Sequence, residues 1–222
     1  MSRLLKHWGF TSQKPVFRAY EQSPAAVRKW LEVEYPRIRR AAQKQSGIIL
    51  WVDELGLRST HQAGKSFAPR GKTPVLQKSG NRFSLHEISA ISNQGHLVFM
   101  VVDGTFNGAV FVKFLTKLIR SLRKRKVFLI ADAHPVHQGV KTSTWLAGHQ
   151  GRIALSFLPG YSPELNPDEY FNQDLKTNVA GKARPKNKQE LKNAVEAFSN
   201  RKKRNPENVI KYFHAPSVQY AT

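Results

Sequence analysis

Two apolar runs of strand-forming residues each end on an aspartate: Ile48-Ile49-Leu50-Trp51-Val52 leads into Asp53, and Val127-Phe128-Leu129-Ile130-Ala131 leads into Asp132. Continuous runs without alternation suit central strands that are buried on both faces. A chain holding two of them needs helices to cover both sides of a sheet. If the two strands lie parallel and adjacent, both carboxylates emerge at the same strand end, where open α/β sheets place their chemistry. Two carboxylates about 4 Å apart repel by roughly 1 kcal/mol in bulk water and about 4 kcal/mol at an effective dielectric near 20. Such a pair is sensible with a cation between its members. Oxygen donors favour Mg²⁺ or Mn²⁺ over softer metals, and the chain has no cysteine to supply a thiolate or a disulfide. Two such ions can activate an attacking oxygen and stabilise a leaving one in phosphodiester displacement. A lone aspartate here would read as a turn residue or a helix cap; two in equivalent contexts weaken that reading.

The elements around these runs fix the fold class. Arg82 to Ser92 and His96 to Val102 read as strands joined by the turn Asn93-Gln94-Gly95. Asn107 to about Lys124 carries a helical stripe of Val110, Phe111, Phe114, Leu115, Leu118 and Leu122. A helix from about Gln138 to His149, a short strand from Ile153 to Leu158, a loop at Pro159 to Pro163 and a helix from near Pro167 follow. The order βββαβαβα predicts an α/β fold, a mixed sheet flanked by helices as in ribonuclease-H-like domains. Ahead of it, Arg3 to Trp8 reads as the closing turns of a helix stopped at Gly9, and Ser23-Pro24 as an N-cap with proline at the first helical position. The basic helical segment that follows reaches about Gln45, with an interruption at Pro36.

Charge narrows the partner. Thirty-six Lys and Arg against 15 Asp and Glu leave a net +21 over 222 residues. Such an excess suits a polyanion, because each phosphate contact releases condensed counterions. No run of about 18 apolar residues offers a membrane span, and no signal-peptide pattern opens the chain. A cytoplasmic protein acting on nucleic acid follows. Basic residues cluster at Arg120, Arg123, Lys124, Arg125 and Lys126, at Lys182, Arg184, Lys186 and Lys188, and at Arg201 to Arg204. The loop from Lys65 to Lys72, with Arg70 and Gly71, is a further DNA-facing element near the first acid.

A third carboxylate is needed, and Leu158-Pro159-Gly160-Tyr161-Ser162-Pro163-Glu164-Leu165-Asn166-Pro167-Asp168-Glu169 supplies three acids. This block resembles the signature of insertion-sequence 630 family transposases, bacterial relatives of the mariner transposases, usually Leu-Pro-x-Tyr-Ser-Pro-Glu-Leu-Asn-Pro-Ile-Glu. The closing Glu of that signature, the third catalytic acid, falls on Glu169. Trp51-Val52-Asp53-Glu54 matches the first-acid strand of the family. Ile130-Ala131-Asp132-Ala133-His134-Pro135-Val136-His137 matches the second, commonly Asp-Asn-x-x-x-His. The resemblance runs from about Gly47 to Lys176, and three departures mark it: Ala133 in place of Asn, Asp168 in place of Ile, and a slightly long interval between the second and third acids.

The resemblance implies a DDE catalytic domain in which Asp53, Asp132 and Glu169 hold two Mg²⁺ ions, with Mn²⁺ able to substitute. It implies hydrolytic cleavage at element ends and strand transfer into double-stranded DNA, terminal repeats and target alike, with insertion at a TA dinucleotide by a homodimer on DNA. The expected parts are 1–46, a basic helical linker or remnant of the DNA-binding region; 47–180, the catalytic domain; and 181–222, a basic C-terminal helical extension. Family members carry helix-turn-helix modules ahead of this domain, and the chain is expected to lack that region. The rival readings are a truncated non-catalytic DNA-binding remnant and a domesticated nuclease, all in a bacterial cytoplasm at the nucleoid. Asp168 is the alternative third ligand. Glu54, facing away from Asp53 along the strand, reads as structural, as do Glu164 and Asp103. His137 reads as a packed or exposed helix-start histidine, with the metal site as its alternative.

Overall fold

The computed structural model describes residues 2–11, 19–59, 67–73, 75, 80–123, 125–183 and 185–222. Five strands form one sheet: β1 (Ile48–Arg58), β2 (Ser84–Ile91), β3 (Leu97–Val102), β4 (Val127–Ala131) and β5 (Ile153–Phe157), in the order β3-β2-β1-β4-β5. The first three pair antiparallel and the last two join in parallel, so the sheet is mixed. β1 and β4 lie in its middle, where every residue of β4 and Ile48, Leu50, Trp51 and Val52 of β1 are buried. That is the environment their unbroken apolar sequences require.

Helices cover both faces. Ser2–His7 forms α1, Pro24–Lys29 forms α2, and Tyr35–Lys44 forms α3, the last two joined without a break by a π-helical turn, Trp30–Glu34. Ser23 caps α2 by accepting from the Ala26 N–H, with Pro24 at its first position. Pro36 follows closely on the π-helical turn; it has no N–H to donate, and the wider turn just ahead of it makes room for its ring. One face carries α4 (Gly108–Ser121), whose Phe111, Phe114, Leu115 and Leu118 pack against Leu50, Val52, Ile88 and Leu129. After β4 come α5 (Pro135–Gln138), a short turn not expected from the sequence, and α6 (Val140–Ala147), which lies within the helix expected from Gln138 to His149.

The opposite face carries α3, α7 (Asp168–Leu175), α8 (Lys188–Arg204) and α9 (Pro206–Ile210). The last helix expected from the sequence, Lys188 to Ser199, continues through the basic run to Arg204. The tail beyond it returns to the core. Phe213 and Tyr220 pack on Trp51 with ring centroids 5.3 and 6.5 Å away, and Tyr35 lies 5.9 Å from the same indole. Trp51 Nε1–H donates to the Tyr220 hydroxyl at 3.1 Å, which donates in turn to the Leu165 carbonyl at 2.7 Å. The tail therefore fastens the loop ahead of α7 to the central strand. Among the described residues no helix is long and apolar enough to cross a membrane.

The turn between β2 and β3 meets the start of α9. Gly95 has φ +83°, and a Cβ there would lie 2.5 Å from the Pro206 Cβ. Both the left-handed backbone and the contact exclude a side chain. Gly95→Ala is expected to destabilise the fold by roughly 2 kcal/mol, lowering the thermal midpoint by about 5 °C; an unchanged melting curve would contradict this reading of the turn.

Candidate active site

The register of the two central strands decides where the carboxylates stand. β1 and β4 pair in parallel from Ile48 with Val127 to Trp51 with Ile130. Continuing that register by two residues sets Asp53 beside Asp132. Asp53 does not end its strand, as the sequence suggested: β1 runs on to Arg58, paired there with β2, and Asp53 is opposite Ser89. The strand end that matters is that of β4, beyond which Asp132 leaves the sheet. Glu169 arrives from the other direction, on the first turn of α7. All three acids line one cleft of about 470 Å³, rimmed by Ala133, His134 and the loop from Leu158 to Pro163.

Each acid has a distinct setting. Asp53 is half-buried; its Oδ1 accepts from the Glu54 N–H at 2.9 Å and its Oδ2 from Asn172 Nδ2–H at 2.9 Å. Burial, then Glu169 and Glu54, with Asp132 behind them, push its carboxyl well above the ordinary range. Glu169 is pushed up as well, by burial first and by Asp132 next, against the opposing effects of its contact with Asp53 and of Lys176. Burial alone would raise Asp132 too, but the hydrogen bond and charge of His137 overrule it and hold its carboxyl below the usual range. The cleft thus concentrates negative charge that a cation would relieve. Its donors are all hard carboxylate oxygens, which fits Mg²⁺ or Mn²⁺. Among the described residues no three acidic or histidine side chains yet converge on one ion position; Asp53 leans on Asn172 and Asp132 on His137.

His137 supports the site more directly than its sequence context suggested. It is buried, with Nδ1 2.8 Å from Asp132 Oδ1 and Nε2 2.7 Å from Glu54 Oε1. Burial would push the imidazole down, but its bonds to Asp132 and Glu54 push it up to about 10. A charged imidazolium therefore bridges the two acids, with the Phe111 ring 4.4 Å from its own. Glu54 points to the face opposite Asp53, as strand alternation requires, and its partner is His137. Asp168 faces away from the cleft. It is fully buried, and its Oδ2 accepts from the Ser89 hydroxyl at 2.9 Å.

The loop and turn from Tyr161 to Pro167 hold α7 against the strand. Asn166 Nδ2–H donates to the Val52 carbonyl at 3.2 Å, and its Oδ1 accepts from the Asp168 N–H at 3.1 Å. One side chain thereby ties the residue before the first acid to the residue before the third. Tyr161 takes φ +54°, uncommon for a non-glycine residue, and Gln22 Nε2–H reaches its carbonyl, the Ser162 hydroxyl and Glu164 Oε1 at 3.1, 3.1 and 2.7 Å. Pro163 and Leu165 bound a single 3-10 turn. Residues 60–66, Lys124 and Arg184 lie outside the described residues, so the front of the loop expected to face DNA and two of the basic positions do too.

Sequence reasoning missed Glu87. It stands on the same face of β2 as Ser89, fully buried, accepting from the Ser199 hydroxyl at 3.2 Å. Its place between Leu85 and Ser89 in a strand buried on this face was the available signal. Burial pushes it up to about 8, against the opposing Ser199 bond. Glu87 Oε2, Asp168 Oδ1 and Asn172 Oδ1 are buried without a hydrogen-bond partner. The folded protein keeps a proton on Glu87 that an unfolded chain releases near 4.5. Stability is therefore expected to fall as pH rises through this window. Glu87→Gln, neutral throughout, should flatten the fall in thermal midpoint between about pH 5 and pH 8 relative to the parent; parallel curves for both proteins would contradict it.

Comparison with known proteins bears on the family and the fold. The DDE superfamily endonuclease family matches residues 48–192. A winged helix-turn-helix family matches residues 1–34, so a segment similar to such a module lies within the chain rather than wholly ahead of it. Among solved structures, the Mos1 mariner paired end complex with Mn is 18% identical over 99% of this chain and 67% of its own, with a TM-score of 0.69. The Mos1 strand transfer complex is 18% identical over 99% of this chain and 66% of its own, at 0.68. The catalytic domain of Mos1 mariner transposase is 14% identical over 94% of both chains, at 0.61. The ribonuclease-H-like fold expected from the element order is shared with these proteins. The chain spans about two thirds of the length of the Mos1 chains in the two complexes. No curated protein matches the sequence.

Proposed function

Because the chain belongs to the DDE superfamily endonucleases, we propose that it is the catalytic part of an insertion-sequence 630-like transposase that cuts and joins double-stranded DNA. The observation that carries this reading is the register that sets Asp53 beside Asp132, with Glu169 in the same cleft. These three residues would hold the divalent ions. When bound, such ions supply activation of an attacking oxygen and stabilisation of a leaving one at a phosphodiester. The chain's own part is to hold three mutually repelling carboxylates together without distortion. Asn172 holds Asp53 from the α7 side and His137 holds Asp132 from below. The cleft is open to solvent at Asp132, whose side chain is 53% exposed, leaving room for a DNA backbone to approach.

In this reading water is the first nucleophile and the freed 3′ hydroxyl the second, and no covalent protein intermediate forms. Residues 1–34, similar to a winged helix-turn-helix, belong to the part that finds element ends. A homodimer on DNA, insertion at TA and action in the bacterial cytoplasm complete the proposal.

The test is nicking of supercoiled plasmid with Mg²⁺. Asp53→Asn, Asp132→Asn and Glu169→Gln are each expected to lower the rate by roughly a thousandfold, the equivalent of about 4 kcal/mol of transition-state charge stabilisation. His137→Asn, which leaves the three acids in place, is expected to cost about 10- to 100-fold. Nicking without joining would favour a nuclease; DNA binding with no nicking would favour a non-catalytic DNA-binding protein.

A further inference from the structure

The basic residues ahead of β4 do not act as a block. Arg125 turns inward, donating to the Gly47 carbonyl at 2.8 Å and to Gln94 Oε1 at 2.6 Å, and Lys126 lies over the Phe128 ring. Arg120 and Arg123 instead join Lys113 and Lys117 on the outer face of α4 and the turn after it. With Met100, Thr116 and Ser121 they line a groove of about 550 Å³ beside the edge strand β3. Lys113, Lys117 and Arg120 follow an i, i+4, i+7 spacing and so share one helix face. That stripe covers about 10 Å of helix axis at roughly 1.5 Å per residue.

A solvated face or a guarded sheet edge is the ordinary reading of such a stripe, and Lys117 fits it: its Nζ–H donates to the Phe99 carbonyl at 2.7 Å, closing the edge. The other three cations are not explained that way. No acid lines the groove, and among the described residues Lys113, Arg120 and Arg123 form no ion pair. Lys203, from α8, adds its charge to that felt by Lys117, and Glu196 of the same helix partly offsets it. Three cations without an acidic partner, set along one helix and the turn after it, suit a linear polyanion. No aromatic ring lines the groove to stack on the bases of a single strand, which leaves a duplex read by its phosphates.

Position separates this groove from the cleft. β3 is parallel to β1, because each is antiparallel to β2. α4 therefore starts at the catalytic end of the sheet, at its cap Asn107, and runs back along it. Arg120 lies 13 residues beyond that cap, about 20 Å down the helix.

We propose that the α4 groove formed by Lys113, Lys117, Arg120 and Arg123 binds the phosphate backbone of a DNA duplex segment outside the catalytic cleft. The proposal rests on the reading of the chain as an enzyme acting on DNA, and it assigns the substrate a second point of contact. The test uses the full chain, a mixed-sequence duplex and a single strand of the same length, with binding followed by fluorescence anisotropy across a salt series. Lys113→Gln, Arg120→Gln and Arg123→Gln are combined in one variant, leaving Lys117 to close the sheet edge. A second variant removes equal charge from the exposed face of α3, by Arg37→Gln, Arg40→Gln and Lys44→Gln.

The groove variant is expected to show a duplex salt slope shallower by about 2.7, at roughly 0.9 for each lost phosphate contact, with a clearly smaller change in the α3 variant. A slope equal to the parent's overturns the proposal. So does the same change in both variants, which would mean that net charge alone is felt. Tighter binding of the single strand than of the duplex, or no duplex binding by the parent, overturns it as well. Equilibrium binding is read whether or not the protein nicks DNA, so failure here and failure of the catalytic reading are separate results.

Discussion

Repulsion among Asp53, Asp132 and Glu169 is the constraint around which the rest of the structure is arranged. Three acids from three elements meet in one cleft, and burial raises the energy of each charge. Within the sheet the Glu54 N–H, which bonds Asp53, offsets part of this. Further compensation comes from outside it: Asn172 bonds Asp53, and the His137 imidazolium lies between Asp132 and Glu54. Both supports reach in from helices, one on each face of the sheet. The helices in turn are placed by apolar packing, Phe111 beside His137 on one face and Phe171 and Leu175 in the core on the other. The polar site is therefore positioned by the same packing that forms the core beneath it.

The C-terminal tail takes part in that rigidity. Trp51, two residues before the first acid, is enclosed by Tyr35, Phe213 and Tyr220. The Tyr220 hydroxyl then reaches the Leu165 carbonyl, one residue from the Asn166 side chain that binds the Val52 carbonyl. First-acid strand, third-acid helix and tail thus share one chain of contacts. Disturbing the tail should be felt at the cleft even though no tail residue lines it.

Much of this was legible in the sequence because it rests on local pattern. Unbroken apolar runs marked β1 and β4, and element order gave the mixed sheet and its two helical layers. The Tyr161 to Glu169 block was recognisable because several residues are fixed at once by one compact turn. What stayed hidden depends on tertiary meeting. Nothing local distinguishes His137 from any helix-start histidine; its partner Glu54 is 83 residues away. Glu87 was passed over because a single acid in a strand reads as solvent-facing until the covering helix α8 is known. The extension of β1 to Arg58 escaped notice because Asp53 and Glu54 interrupt the apolar run while the ladder with β2 continues past them. The basic run before β4 misled in the opposite way: neighbours in sequence, Arg123 and Arg125, face different surroundings.

The central claim is that the three carboxylates form one cation-binding unit. Titration of the protein with Mn²⁺, followed by the paramagnetic signal of free ion, tests it without reference to DNA or turnover. Saturable binding by the parent that is lost in Asp53→Asn and in Asp132→Asn, with both variants still folded, is the predicted result. Equal binding by parent and variants, or none by the parent, would contradict it.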